Sequence, residues 1–351
     1  MDKDRKYVIL TQGHTHPTPA KLAAALLRYQ PHQVVALIDS GRAGNDTFAL
    51  MQTGKGIPIV ATLQDSLDLH PNALVLGITP AGGQIPPEWK TIIREAIQAG
   101  LDIYSGMHTF LNDDPEIKSQ ARAAGVTLYD LRRPPEIMNV NQCRAATVHA
   151  FRVHTVGSDC NCGKKVATLE IHKALQSRGY DSEFIATGQS GMLVSGKGVV
   201  LDRVPGDFIA GVADQLAWEN RHHEFLLIEG QGALTHPLYS GVTLGMLHGF
   251  APQALILCHQ PDRAIMRGSV LTPVPPLLTL IELYTKITVP VFPCKIVGIA
   301  LNLMACSDSE ARDKVLQTEF ETGLPVTDVL RFGPDKLVKA LLDFRQNWET
   351  Q

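Results

Sequence analysis

Short apolar runs alternate with amphipathic stretches along the first half of the chain. The runs YVIL, VVALI, IPIV and ALVLGI are separated by polar turns and by stretches with helical spacing, such as residues 19–29. Uninterrupted apolar strands between helices are typical of a parallel sheet that is covered on both faces. The pattern therefore predicts an α/β domain built from βαβ units.

The alternation stops at residues 132–141, RRPPEIMNVN, where adjacent prolines cannot continue a helix or a central strand. A second series begins with FRVHTVG and continues through the apolar runs EFIAT, FLLIEG, ALILCH and KIVGIALN. A helix is expected over 164–178, closed by Gly179 at its C-terminus. We predict two successive α/β domains, residues 1–140 and 141–351.

Length and composition limit the class of protein. The chain has 351 residues, 44% of them apolar and 19% charged, with a net charge of -3. This profile is typical of a two-domain soluble enzyme that acts on a small molecule, with neither nucleic acid nor membrane as a partner. The amino-terminal apolar stretch is too short for a signal sequence, so we expect a cytoplasmic protein, in which six cysteines stay reduced.

The sharpest motif is GSDCNCGKK at residues 157–165, between an expected strand and an expected helix. Backbone N–H groups of such a loop converge on an anion, and the helix N-terminus and a lysine add positive charge. Five residues separate its two glycines, whereas the common P-loop has four. We expect the whole motif to hold phosphates: Gly157, Ser158, Asp159, Cys160, Asn161, Cys162, Gly163, Lys164 and Lys165.

The loop gives little support for a metal ion. Lys165 and Val166 occupy the positions where a magnesium-binding hydroxyl normally follows the lysine. Cys160 and Cys162 lie too close together to form a tetrahedral zinc site alone. We predict no metal site, and the two thiols remain candidates for reactive groups.

A second motif, FLLIEGQGALTHP, places Glu229 at the end of an apolar strand and His236 shortly after it. A carboxylate at the carboxyl end of a parallel strand points into the crevice where ligands bind in open α/β sheets. Glu229 is a candidate general base or metal ligand, and the sequence does not separate these roles. His236 and His259 are candidates for proton transfer or for structural hydrogen bonds.

Other strand-end loops are less informative. Asp39 ends an apolar run in the manner of a ribose-binding acid, but TQGHTHPTP replaces the expected GxGxxG, so NAD binding is not supported. The loops TPAGGQIP at 79–86, SGMH at 105–108 and GQSG at 188–191 are either tight turns or walls of a pocket.

The glycine loop resembles the variant P-loop of dethiobiotin synthetase, and EGQG is similar to the EGAG segment of that enzyme. The ordered segments GITPAGG, SGMHTFLNDDPE, GSDCNCGKK, IEGQGALTHP, HGFAPQALILCHQPDR, KIVGIALN and GLPVTDVLRFG resemble a D-glutamate N-acetyltransferase-like family over nearly the whole chain. This family was long catalogued as a domain of unknown function. The resemblance implies a Rossmann-like N-terminal domain followed by a P-loop NTPase-like, doubly wound C-terminal domain.

The resemblance also implies a reaction. It predicts transfer of an acetyl group from acetyl-CoA to a D-amino acid. It also predicts that the protein acts in D-amino-acid catabolism together with an enolase-superfamily epimerase. Glu229 or His236 is then the base. Gln231 is expected to contact substrate. Arg263 and Arg331 are candidate clamps for its carboxylates, and the alternative for each is an ordinary surface or helix-end ion pair. We expect a homo-oligomer.

Two alternatives stay open. One is an ATP- and magnesium-dependent ligase or kinase of the dethiobiotin synthetase type. It is disfavoured because Lys165 occupies the position of the magnesium-binding hydroxyl. The other is a noncatalytic nucleotide-binding sensor, against which the density of polar residues at strand ends argues.

Overall fold

A computed structural model describes residues 4–78 and 83–349. Residues 79–82 of the loop 79–86 singled out above lie outside the described part of the chain. The chain forms two compact units. The first contains the described residues up to Pro134 together with Gln189–Val200, and the second contains Pro135–Gly188 and the described residues from Leu201 onward. The domain limits expected from the sequence stay a prediction.

The first unit is built on a parallel sheet of six strands. The strands are β1 (Tyr7–Leu10), β2 (Val34–Ile38), β3 (Ile59–Val60), β4 (Ala73–Leu76), β5 (Asp102–Ser105) and β6 (Leu128–Asp130). The helices are α1 (Lys21–Tyr29), α2 (Thr47–Met51), α3 (Leu63–Leu67), α4 (Trp89–Gln98) and α5 (Pro115–Ala124). A further helix, α7 (Gln189–Ser195), comes from later in the chain and packs against α1.

The strand order in this sheet is β3-β2-β1-β4-β5-β6. In register, Ile9 of β1 lies between Leu37 of β2 and Val75 of β4. All residues of β1 and β4 are buried, which explains why both strands are apolar without alternation. This is the strand order of the Rossmann fold, and the parallel α/β domain predicted from the sequence is confirmed.

The second unit has its own parallel six-stranded sheet. Its strands are β7 (Phe151–Gly157), β8 (Ser182–Ile185), β9 (Phe225–Ile228), β10 (Ala254–His259), β11 (Lys295–Leu301) and β12 (Val326–Thr327). Its helices are α6 (Lys164–Ser177), α8 (Gly206–Glu219), α9 (Ser240–Phe250), α10 (Leu277–Thr288), α11 (Asp308–Thr322) and α12 (Asp335–Glu349).

The order of these strands is β12-β11-β10-β7-β9-β8. The chain runs from β7 out to the edge strand β8, returns to β9, and then crosses to the other side of β7 to form β10. The direction of winding therefore reverses between β7 and β10, and ligands bind at the carboxyl ends of the strands at such a reversal.

Apolar side chains cover both faces of the second sheet. One face packs against α6 and α12 through residues such as Ile171 and Leu337, and the other packs against α10 and α11 through Tyr284 and Ala311. Local signals fix the helix limits: α11 starts with a capping box between Ser307 and Glu310. Within residues 4–78 and 83–349, no helix has both the length and the apolar character needed to cross a bilayer.

Candidate functional site

The glycine loop lies at the carboxyl end of the central strand of the second sheet. Strand β7 ends at Gly157 and α6 begins at Lys164, so the loop leads directly into a helix N-terminus. Ser158 N–H donates to the carbonyl oxygen of Cys258 at 3.0 Å, which joins the start of the loop to β10. The loop therefore occupies the reversal point between β7 and β10, where the fold favours ligand binding.

Lys164 is buried and lies across the loop. Its Nζ donates to the carbonyl oxygen of Asp159 at 2.8 Å. A Cβ atom on Gly157 would come within 2.8 Å of this Nζ, of the Asp159 carbonyl oxygen and of the Cys162 Sγ, so glycine is required there. Cys162 is buried with its Sγ 3.1 Å from the same carbonyl oxygen, and its thiol therefore packs inside the loop.

Asp159 is the centre of a buried network. Its Oδ2 accepts hydrogen bonds from the Arg263 guanidinium at 2.7 Å and from Arg267 N–H at 2.9 Å. Its Oδ1 accepts from Cys160 N–H at 2.6 Å and lies 3.4 Å from Nε2 of His236. Because these internal donors surround the carboxylate, Asp159 fixes the shape of the loop and the position of Arg263.

The buried His236 ring is held at both nitrogens. Leu238 N–H donates to Nδ1 at 3.2 Å, so Nδ1 is an acceptor and the proton is on Nε2, which donates to the Arg267 carbonyl oxygen at 2.9 Å. This arrangement suits a positioning role. Asp159, Cys160 and His236 also bring one potential metal-ligand atom each within 4.8 Å of one another, but these hydrogen bonds already occupy the imidazole and the carboxylate.

Glu229 follows β9 and is 3% exposed. Its Oε2 accepts hydrogen bonds from the N–H groups of Thr187 and Gly188, both at 3.1 Å. Burial raises the pKa of Glu229 to about 7, although the charge of Lys165 and the two backbone donors act in the opposite direction. A carboxylate with this pKa can accept and release a proton near neutrality.

Two glycines let the segment after Glu229 lie against its neighbours. A Cβ atom on Gly230 would lie only 1.7 Å from the carbonyl oxygen of Thr155 in β7, so a larger residue does not fit. Gln231 is half-buried, and its Nε2 donates to the Thr187 hydroxyl at 3.2 Å. A Cβ atom on Gly188 would lie only 2.5 Å from this Nε2, so glycine at 188 leaves room for the Gln231 side chain. Gln231 and Glu229 are thus brought together at the ends of β8 and β9.

The remaining candidates are His259 and Arg331. His259 lies beside the loop, with Nδ1 2.8 Å from the Ser158 hydroxyl, and burial together with the charge of Arg263 lowers its pKa to about 4. Arg331 is bound at the start of α11 instead, where it contacts Asp308 Oδ1 at 2.9 Å and the Cys306 carbonyl oxygen at 2.8 Å. These contacts describe a structural ion pair.

The structure adds two residues that the sequence did not single out. The Tyr284 hydroxyl donates to the Gly157 carbonyl oxygen at 2.9 Å and accepts from Leu234 N–H at 3.1 Å, which ties the loop to the segment after β9. Thr187 contacts both Glu229 and Gln231. Thr187 ends the run EFIAT, so it could have been found as a polar residue at the carboxyl end of a parallel strand. Tyr284 lies within α10 and carries no such signal.

The loop fits phosphate better than it fits magnesium. The glycine turn, Lys164 and the start of α6 supply N–H groups and positive charge. Lys165 follows Lys164, and the first hydroxyl residue after it, Thr168, is buried and donates to the Lys164 carbonyl oxygen at 2.7 Å. The usual hydroxyl ligand for magnesium is therefore missing from this loop.

Together, the two sheets and the glycine loop define a protein with a Rossmann-like domain followed by a P-loop domain. Family models agree: the model described as "Domain of unknown function (DUF1611_N) Rossmann-like domain" matches residues 40–134, and "Domain of unknown function (DUF1611_C) P-loop domain" matches residues 139–338. The chain belongs to the DUF1611 family, which confirms the resemblance seen in the sequence.

Relatives of the chain include curated enzymes and a solved structure. The chain is 39% identical to a D-glutamate N-acetyltransferase from Tritonibacter scottomollicae, over 80% of this chain and 84% of that protein. It is 36% identical to a D-glutamate N-acetyltransferase from Pseudoalteromonas sp, over 79% and 83%. The crystal structure of a DUF1611 family protein from Anabaena variabilis superposes with a TM-score of 0.93 at 36% identity, covering 97% of this chain and all of that one.

Proposed function

We propose that the protein is an N-acetyltransferase that transfers the acetyl group of acetyl-CoA to the amino group of a D-amino acid such as D-glutamate. The observation that carries this proposal is Glu229, a buried carboxylate with a pKa near 7 in the domain that also carries the glycine loop. The names of the two curated relatives support the choice of reaction and substrate.

Glu229 acts as the general base in this proposal. An amino acid carries an ammonium group at neutral pH, which must lose a proton before its nitrogen can attack a carbonyl carbon. Oε2 of Glu229 is held by the Thr187 and Gly188 N–H groups, and Oε1 takes the proton. Acetyl-CoA would supply the acetyl group as a thioester, whose C–S bond would be replaced by the new C–N bond. The nitrogen loses one proton to Glu229 and a second to the departing sulfur, so that CoA would leave as the thiol.

The glycine loop holds the pyrophosphate of CoA. Lys164 exchanges its hydrogen bond to the Asp159 carbonyl oxygen for one to a phosphate oxygen, and the first N–H groups of α6 add further donors. Asp159, Arg263 and His236 keep the loop in shape without touching the reacting atoms. Gln231, fixed by Thr187, contacts the substrate.

Use of ATP with magnesium is the competing proposal, because P-loops commonly hold nucleotide phosphates. Lys165 disfavours it, since an ammonium group stands where the hydroxyl ligand of the metal is expected. Isothermal titration distinguishes the two. We expect acetyl-CoA to bind in the presence of a chelator, whereas magnesium-dependent binding of ATP without binding of acetyl-CoA would contradict the proposal.

A further inference from the structure

A cavity of about 480 Å³ lies in the second unit beside the glycine loop. The segment that follows β10 forms one side, and α11 forms the other. Two of its lining residues also hold the loop: His259 contacts the Ser158 hydroxyl at 2.8 Å, and Arg263 binds Asp159 at 2.7 Å. The side chains of His259 and Arg263 therefore separate the cavity from the loop, and the distance between the two is about one side chain.

The two walls of the cavity differ in chemistry. On one side, Val274, Pro275 and Pro276 form a rigid apolar surface. On the other side, α11 presents Lys314, Gln317 and Glu321, which are spaced to lie on one helix face. The flat face of a heteroaromatic base suits the apolar wall. The polar edge of the same base, a ribose and an attached phosphate suit the polar wall.

Lys314 is the cation on the polar wall. It is paired with Asp262, and the side chains of Lys314 and Asp262 are 27% and 56% exposed. Lys314 is only partly exposed, but the Asp262 carboxylate is exposed and water screens the pair, so Lys314 can exchange Asp262 for a more highly charged anion. A terminal phosphate, which carries more than one negative charge, is such an anion.

We propose that this cavity binds the adenosine 3′-phosphate end of CoA, with Lys314 as the cation for the 3′-phosphate. The inference rests on the proposed use of acetyl-CoA and extends it. It assigns the adenosine and the thioester end of the same molecule to opposite sides of the loop. The adenosine lies on the β10 and α11 side, and the thioester lies on the Glu229 side. It also explains how the domain would select CoA over nucleotides that lack a 3′-phosphate.

The test compares CoA with dephospho-CoA, which lacks only the 3′-phosphate, by isothermal titration of the full-length protein. We expect the wild-type protein to bind CoA about tenfold more tightly, the effect of one charge-assisted hydrogen bond. Lys314→Met should bind both compounds equally, and Lys314→Arg should keep the preference. Lys336→Met is the matched control, because Lys336 also pairs with an acid of α11, Glu319, at 2.6 Å but does not line the cavity.

The possible outcomes separate this inference from the proposed function. Equal binding of CoA and dephospho-CoA by the wild-type protein would overturn the inference and leave acetyl transfer intact. A preference for CoA that survives in Lys314→Met would show that another residue binds the phosphate and would also overturn it. Failure of the wild-type protein to bind either compound would overturn the proposed cofactor and the inference with it.

Discussion

Replacement of Glu229 by glutamine should remove the base and change the pH dependence of acetyl transfer. Burial raises the pKa of Glu229 to about 7, so the ionised fraction should rise about tenfold between pH 6 and pH 8 and then level off. The wild-type kcat/KM for the amino acid should follow this curve. Glu229→Gln should reduce kcat/KM by about 10²–10⁴, the usual contribution of general base catalysis.

The shape of the profile is more informative than the loss of rate. Without the base, only substrate molecules with a free amine react, so kcat/KM of Glu229→Gln should keep rising with pH towards the pKa of the substrate amino group. The assay is release of the CoA thiol, measured from pH 5.5 to 9.5. Glu183→Gln, on the neighbouring strand β8, is the control and should keep the wild-type profile. A variant at Glu229 that also levels off near pH 8 would refute the assignment.

Three other side chains of the second unit lead to further expectations. Lys164→Ala should weaken binding of acetyl-CoA at least tenfold by isothermal titration, since the variant loses a phosphate contact; unchanged affinity would place the cofactor elsewhere. Asp159→Asn should lower the free energy of unfolding by about 2 kcal/mol in urea denaturation, because Arg263 loses the negative charge of its buried partner. An unchanged free energy of unfolding would show that this network does not contribute to stability. Burial and the charge of Lys164 lower the pKa of His154 to about 3, so the folded state keeps this ring neutral while the unfolded chain gains a proton as the pH falls below 6.5. As the pH falls from 6 to 4, this group should therefore lower the free energy of unfolding of the wild-type protein by roughly 1.4 kcal/mol per pH unit. His154→Phe should show a shallower decrease in urea denaturation at several pH values. Equal slopes for the two proteins would contradict this.

The sequence predicted the sheets well because their strands are buried on both faces. The runs VVALI and ALILCH appear as β2 and β10, since a parallel strand covered on both faces must be apolar throughout. The glycine loop was equally visible, because its signal is local: strand, glycines, lysine and helix follow one another along the chain. Glu229 was found by the rule that strand ends meet at one edge of a sheet.

The network around Asp159 could not be predicted in the same way. Its partners His236 and Arg263 follow other strands, and their hydrogen bonds depend on the paths of two loops that have no regular pattern. The contacts of Arg331 could not be predicted for the same reason, because its neighbour Asp308 begins a helix whose position depends on packing. The segment Gln189–Val200 follows β8 of the second unit yet belongs to the first, which no local periodicity indicates.

The most direct test of the account is product formation by the wild-type protein from D-glutamate and acetyl-CoA in the presence of excess chelator. We predict that N-acetyl-D-glutamate, identified by mass spectrometry, forms in the same amount as free CoA, with no requirement for ATP or magnesium. If D-glutamate and a panel of other D-amino acids stay unmodified while ATP with magnesium is consumed, the central claim is contradicted and the protein belongs with the ATP-dependent P-loop enzymes.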